Sequence, residues 1–168
     1  MIILGIDPGL ANTGWGVIES RGSSHRCLAY GCITTATTEA LPARLARIHD
    51  ELVEVIDRYV PHACAAESVY FGANAKSAFA TGQARGVALL ATSAAGLRIG
   101  EYSPVQVKST VVGSGTADKR QVQYMVRVLL GLDAEPTPDH AADALAVAIC
   151  HAHMAGAPAT RLAEETAP

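Results

Sequence analysis

Three acidic residues of this chain each end or interrupt a stretch of apolar residues. Asp7 follows an apolar run and precedes a Pro-Gly turn, Glu67 ends the short run 63–66, and Asp143 lies among small apolar residues. An ionised carboxylate in such a setting is costly unless a cation neutralises it. Clustered carboxylates suit Mg²⁺ or Mn²⁺, and paired metals promote in-line displacement at phosphodiesters. The alternative for each acid is a structural role, such as a turn cap or a salt bridge.

Two neighbouring side chains could join Asp143 in such a site. His140 precedes it by three residues and Asp139 by four, so either shares its face of a helix. An imidazole is a weaker ligand for hard Mg²⁺ than a carboxylate, which makes Asp139 a rival to His140. The sequence leaves this choice open.

Apolar periodicity predicts the elements that must position these residues. The first three strands follow one another as an antiparallel meander, and later strands alternate with helices. This order indicates an α/β fold with a mixed five-stranded sheet flanked by helices, in one domain over residues 1–155, followed by a flexible tail at 156–168. We expect strands at 1–6, 13–19, 27–34, 63–66 and 98–102, and helices at 42–60, 75–95, 104–112, 118–130 and, with Thr137 as its N-cap and Pro138 first, 137–156.

The first and fourth strands should bring two of the acids together. Asp7 and Glu67 each follow a strand, and parallel neighbours would place both at the same edge of the sheet. Ligands of α/β proteins usually bind at this edge.

Cysteine usage and hydropathy suggest a cellular location. Four cysteines are scattered without a C-x-x-C pair, which argues against a zinc site and a disulfide framework. Apolar stretches fall short of the roughly 20 residues that span a membrane. We expect a soluble, cytoplasmic protein without a membrane partner.

The net charge of −3 conceals an uneven distribution of charge along the chain. Residues 68–132 carry seven basic side chains against two acids, whereas both flanking segments are acidic, and all three lysines fall in this middle segment. The excess fits a polyanionic partner. Ordinary solvated surface charge is the alternative.

Seven short segments carry a resemblance to a known family. In chain order they resemble motifs of the RuvC family of bacterial Holliday junction resolvases, and the match runs from Met1 to about His153. The segments are Gly5-Ile6-Asp7-Pro8-Gly9, Asn12-Thr13-Gly14-Trp15-Gly16, Ala66-Glu67-Ser68-Val69-Tyr70-Phe71, Gly82-Gln83-Ala84-Arg85-Gly86-Val87, Gln106-Val107-Lys108, Val111-Val112-Gly113 and Asp143-Ala144-Leu145-Ala146.

The resemblance implies an RNase H-like fold working as a homodimer in DNA recombination and repair. It implies metal-dependent, paired and symmetric cutting of two opposed strands of a four-way DNA junction, leaving 5′-phosphate and 3′-hydroxyl ends. A complex of RuvA and RuvB, which drives branch migration, is implied as a partner.

Position by position, Asp7, Glu67 and Asp143 match the catalytic acids of the family. His140 stands where the family has Asp or His. Our hypothesis is that Mg²⁺, with Mn²⁺ as the alternative, binds as two ions per site. Asp7 would bridge the ions, Glu67 and Asp143 would each hold one, and His140 would ligate or orient the attacking water.

DNA contacts are expected from the basic segment. Lys76, Lys108 and Lys119 lie near loops and helix starts, where ammonium groups can meet phosphates, and Lys108 and Lys119 also match DNA-contacting positions of the family. Arg85 matches the Gln-Ala-Arg-Gly motif of the family, although a structural role is the alternative for an arginine in the middle of a helix.

Two aromatic residues directly follow the second acid. Tyr70 and Phe71 could stack on an unpaired base at the crossover, and the family's aromatic at the position of Tyr70 implies that role. Core packing is the alternative for both.

A two-fold symmetric junction calls for two active sites related by the same axis. The helix at 75–95 is apolar nearly all round, so it is our candidate for a dimer seam, with burial in the core as the alternative. Two other functions are alternatives. An ATPase of the actin and sugar-kinase superfamily would need a second lobe, and a non-catalytic junction binder would not need three intact acids.

Overall fold

The computed structural model describes residues 1–68 and 75–156, the latter with side chains from residue 78 to 155. The described residues form five strands and five helices. They are β1 (Ile2–Asp7), β2 (Asn12–Arg21), β3 (Ser24–Thr34), α1 (Leu41–Tyr59), β4 (Ala63–Glu67), α2 (Ala75–Ala94), β5 (Arg98–Tyr102), α3 (Pro104–Val112), α4 (Lys119–Leu130) and α5 (Asp139–Gly156). The predicted flexible tail, apart from Gly156, lies outside the described residues.

The strands form one mixed sheet in the order β3-β2-β1-β4-β5. β1 pairs antiparallel with β2 and β2 with β3, whereas β1–β4 and β4–β5 are parallel pairs. The predicted mixed five-stranded sheet is therefore confirmed. β2 and β3 are longer than predicted, because Ser20 and Arg21 stay in the ladder opposite His25 and Ser24 and leave a two-residue turn. Gly22 supplies the positive φ, 61°, that this turn requires.

Two apolar layers cover the faces of the sheet. Successive side chains of a strand point to opposite faces, so Ile3 of β1 packs with α5, α3 and α4, while Leu4 and Ile6 pack with α1 and α2. α5 is buried along most of its length, including Ala144 and Leu145. The central strand β1 is thus covered on both sides and held rigidly.

Glycines let α5 lie unusually close to the sheet. An added Cβ would lie 2.0 Å from the carbonyl oxygen of Ala144 at Gly5, and 1.9 Å from that of His140 at Gly14. Gly16, which pairs with Gly5 across β1 and β2, faces the side chain of Leu145 in the same way. Only a hydrogen atom fits at these positions. Because the three glycines have no side chains, the first turns of α5 can approach the end of β1.

The helix starts near this end of the sheet are well defined. Ser103 caps α3 and Asp118 caps α4, each in a reciprocal capping box with the Gln three residues later. α5 begins at Asp139, one position later than the predicted arrangement with Thr137 as N-cap. The carbonyl of Pro138 accepts the first helical hydrogen bonds, which places Pro138 at the cap and not at the first helical position.

Within the two described ranges, no helix is both long enough and apolar enough to cross a membrane.

Candidate active site

The parallel pairing of β1 and β4 places two acids side by side. The register aligns Ile6 with Ala66, so Asp7 and Glu67 follow at the same carboxyl end of neighbouring strands. This is the edge predicted from the sequence, and it is where ligands of α/β proteins usually bind.

The first turns of α5 bring two more side chains to this edge. One ligand atom each from Asp7, His140 and Asp143 lies within 4.8 Å of the others, a spacing that could hold a metal ion. Nδ1 of His140 lies 2.8 Å from Oδ2 of Asp7. Because an ionised carboxylate only accepts, the ring nitrogen is the donor in this bond.

Two acids at this edge, Glu67 and Asp143, resist ionisation in the protein alone. Burial, followed by the negative charges of Asp7 and Asp143, raises the pKa of Glu67 to about 7, while Lys108 opposes the shift. Burial also raises the pKa of Asp143, against the opposing effect of Lys119 and with a further contribution from Asp7. Crowded carboxylates with raised pKa values are what a bound cation would relieve, so the donor set fits a hard divalent metal.

A cavity of about 240 Å³ adjoins the acids. Glu67 and Asp143 face it together with Lys108 from α3 and Lys119 from α4. The remaining lining is apolar: Pro104, Val107, Val122 and Ala146. The cavity therefore presents two carboxylates and two ammonium groups, an arrangement that can accept a phosphate beside a metal.

Asp139, the rival to His140, points elsewhere. Its Oδ2 lies 3.0 Å from Nζ of Lys119, and its Oδ1 accepts a hydrogen bond from Nε2 of Gln123 at 2.9 Å. The hydrogen bond from Lys119 is the main reason that the pKa of Asp139 is lowered. The structure thus brings His140, and not Asp139, together with Asp7 and Asp143.

The other predicted DNA contacts are placed differently. Arg85 of α2 forms an ion pair with Glu101 of β5, and its buried Nε has no hydrogen-bond partner among the residues that the structure describes. This pair supports the structural alternative, and a DNA contact by Arg85 stays a prediction. Tyr70 and Phe71 lie outside the described residues, and of Lys76 only the backbone, in the first turn of α2, is described.

Two features of the site were not predicted from the sequence. Gln123 follows Lys119 by four residues on α4, a spacing that puts both on one helical face and could have been noticed. The glycines at 5, 14 and 16 stand inside strands, where glycine often marks the close approach of another backbone. Neither the spacing on α4 nor the glycines in the strands could identify the group that they contact, because that group belongs to α5, which is distant in sequence.

Comparisons with known proteins agree with this architecture. The family model described as "Crossover junction endodeoxyribonuclease RuvC" matches residues 3–151. A curated Moorella thermoacetica protein of that name is 51% identical over 155 residues, covering 92% of this chain and 93% of the relative. The solved structure "T. thermophilus RuvC in complex with Holliday junction substrate" is 40% identical with a TM-score of 0.89, covering 92% of this chain and 94% of that one.

A more distant solved structure shares the fold. The yeast mitochondrial Holliday junction resolvase is 14% identical with a TM-score of 0.66, covering 89% of this chain and 78% of that chain. These likenesses confirm the predicted RNase H-like sheet with flanking helices. With a family model that spans residues 3–151 and a relative that shares half of its residues, the chain belongs to the RuvC family of crossover junction endodeoxyribonucleases.

Proposed function

We propose that this chain hydrolyses phosphodiester bonds in two opposed strands of a four-way DNA junction, leaving 5′-phosphate and 3′-hydroxyl ends. The observation that carries the proposal is the convergence of Asp7, His140 and Asp143 within 4.8 Å, in a chain of the RuvC family. The Thermus relative, named as a complex with a Holliday junction substrate, supports the choice of DNA.

Divalent metal dependence follows from the family, and we assign Mg²⁺, with Mn²⁺ as the alternative and two ions per site. The residues that would hold the metal are Asp7, Glu67, His140 and Asp143. When bound, such ions polarise the scissile phosphate and make water a stronger nucleophile near neutral pH.

The side chains of this chain then have separate tasks. His140 donates from Nδ1 to Asp7, so its Nε2 is the nitrogen left to ligate the metal or orient the attacking water. Lys108 and Lys119 line the cavity from two helices and would contact the phosphates on either side of the cut. We assign further DNA contacts to Tyr70, Phe71, Lys76 and Arg85.

Paired cuts need two copies of the site. We propose a homodimer formed through the exposed face of α2, whose opposite face packs in the core with Ala84, Ala88 and Ala91. The RuvA and RuvB complex is proposed as a further partner on the family relationship alone.

The substrate is tested by cleavage of a mobile synthetic four-way junction with Mg²⁺ or Mn²⁺, beside a linear duplex and a flap of the same sequence. We expect symmetric cutting of the junction and little cutting of the other two. Equal cutting of all three would reduce the function to general nuclease activity, and junction binding without cleavage would favour a non-catalytic binder.

Asp7→Asn tests the metal site directly. Because Asp7 contacts His140 and shares its cluster with Asp143, losing its charge should reduce cleavage on the order of 10³-fold or more, while junction binding persists. Asp57→Asn, the same change at an exposed position of α1, is the matched control and should cleave normally. Cleavage by Asp7→Asn at the wild-type rate would contradict the assignment.

A further inference from the structure

An ion-pair network joins α4 to α5 at the rim of the cavity. Nζ of Lys119 lies 3.0 Å from Asp139 and 3.4 Å from Asp143, so the ammonium group is shared by two carboxylates. The second oxygen of Asp139 accepts from Gln123, one turn further along α4. Both oxygens of Asp139 are therefore engaged by the same helix.

The network contributes little to the stability of the fold. The side chain of Asp139 is 63% exposed, and exposed ion pairs contribute little to stability. What the network fixes is the place of a long, flexible side chain. The Asp118 capping box already fixes the backbone at the start of α4, so the remaining freedom of Lys119 lies in its side chain.

We propose that Asp139 is a positioning residue that keeps Lys119 at the cavity wall once a divalent cation neutralises Asp143. A cation on Asp143 repels the ammonium group, and Asp139 is then the carboxylate that still holds it. An ammonium group has three donors, so Lys119 can bind Asp139 and a DNA phosphate in the cavity at the same time. The contact with a DNA phosphate rests on the proposed function. The tether, by which we mean the ion pair that holds Lys119 to Asp139, does not.

The proposal predicts opposite effects on catalysis and on binding. Asp139→Asn removes a negative charge from the rim, so electrostatics alone would strengthen DNA binding and speed cleavage. If Asp139 positions Lys119, kcat instead falls by about fivefold, which corresponds to the free energy that an exposed ion pair contributes. The Kd for the junction then stays the same or falls. Asp139→Glu should restore most of kcat. Asp133→Asn, the same change in the α4–α5 loop, is the matched control and should leave kcat unchanged.

A double-mutant cycle separates positioning from a general structural role. Measured in a Lys119→Met background, Asp139→Asn should cause no further loss of kcat, because its effect acts through Lys119. A further loss in that background would overturn the proposal, as would unchanged or faster cleavage by the single variant.

Relaxation of the lysine ammonium groups by NMR provides a readout that does not require activity. In the wild type, Lys119 should stay ordered with and without Mg²⁺. In Asp139→Asn it should be ordered without Mg²⁺, through Asp143, and lose order when Mg²⁺ is added, while Asp133→Asn should behave as the wild type. Order of Lys119 that is independent of Asp139 would refute the tether. If this pattern holds but the wild type cuts no junction, the proposed function fails and the tether stands.

Discussion

Glu67 binds its proton more tightly in the folded protein than in the unfolded chain. Its pKa is raised from the ordinary value of 4.5 to about 7, first by burial and then by Asp7 and Asp143. The folded state therefore holds more protons than the unfolded state between these two values, so the free energy of unfolding falls as pH rises through this range. Without metal, Glu67 contributes a cost in stability that is present above pH 7 and absent below about pH 4.5.

Glu67→Gln should remove this cost, because the amide is neutral at every pH. In metal-free protein at pH 8 the variant should exceed the wild type by about 2 kcal/mol, after the full value of the pKa shift is discounted for partial exposure. At pH 5, where only about a quarter of this cost has appeared, the difference should shrink to about 0.5 kcal/mol. Chemical denaturation at both pH values measures the difference.

Glu54→Gln, at an exposed position of α1, is the matched control and should show no such pH dependence. A stability gain of equal size at pH 5 and pH 8 would show that ionisation of Glu67 is not its cause.

Residue types alone predicted part of the candidate site. Asp7 and Glu67 were predicted to meet because each ends a buried strand, and the parallel register places them together. The choice between His140 and Asp139 could not be made, because spacings of three and four residues from Asp143 both lie on one helical face. Contacts from another helix decide where Asp139 points, and no local pattern encodes them.

At the scale of elements, the site depends on how closely α5 approaches the sheet. The period of apolar residues predicted each helix and strand, since those patterns are local. The sequence did not predict how closely α5 packs against the sheet. An alanine-rich helix is apolar on every side, so its pattern does not show which face lies against the strands. The close approach depends on Gly5 of β1 and Gly14 of β2, because these glycines lie directly against the backbone of α5.

Gly14→Ala should displace α5 from the end of the sheet. The new Cβ would lie 1.9 Å from the carbonyl oxygen of His140, and a backbone atom cannot rotate away as a side chain can. We expect a stability loss of about 2–3 kcal/mol, which is typical of overpacking. Metal binding should also weaken, because His140 and Asp143 belong to α5 and would move with it. Denaturant titration and calorimetric titration with Mn²⁺ measure the two effects.

Gly31→Ala is the comparison variant for this test. Its added Cβ meets the ring of Trp15, 2.8 Å away, and a side chain can adjust more readily than a helix backbone. It should cost less stability and leave metal affinity unchanged. Equal metal affinity in Gly14→Ala and the wild type would mean that the glycine does not position the site.

At the scale of the whole molecule, three cations of the basic middle segment lie in two different settings. Lys108 and Lys119 face the cavity beside the acids, as a DNA-binding role would require. Arg85 instead joins α2 to β5 through Glu101. Net charge along the sequence therefore indicated the segment that supplies both lysines of the cavity, but the pairing of each cation depends on tertiary contacts.

An exposed stripe runs along α2 on the side away from the core. Phe79 is 68% and Leu90 61% exposed, and their separation of eleven residues returns to the same helical face. Gly82 and Gly86 lie between them, and no described residue outside the neighbouring turns of α2 comes within 4 Å of a Cβ added at either glycine. Large apolar side chains flanking two glycines form a surface on which another helix can pack closely, as the proposed homodimer requires.

Leu90→Glu should convert the proposed dimer to a monomer, because burying a carboxylate in an apolar seam is costly. In analytical ultracentrifugation at micromolar concentration, the wild type should sediment as a dimer and the variant as a folded monomer. Val128→Glu makes a comparable change at a 47% exposed position of α4 and should remain a dimer. With the seam lost, cuts in the two opposed strands should no longer be paired on one junction. A monomeric wild type, or a dimer that survives Leu90→Glu, would exclude α2 as the seam.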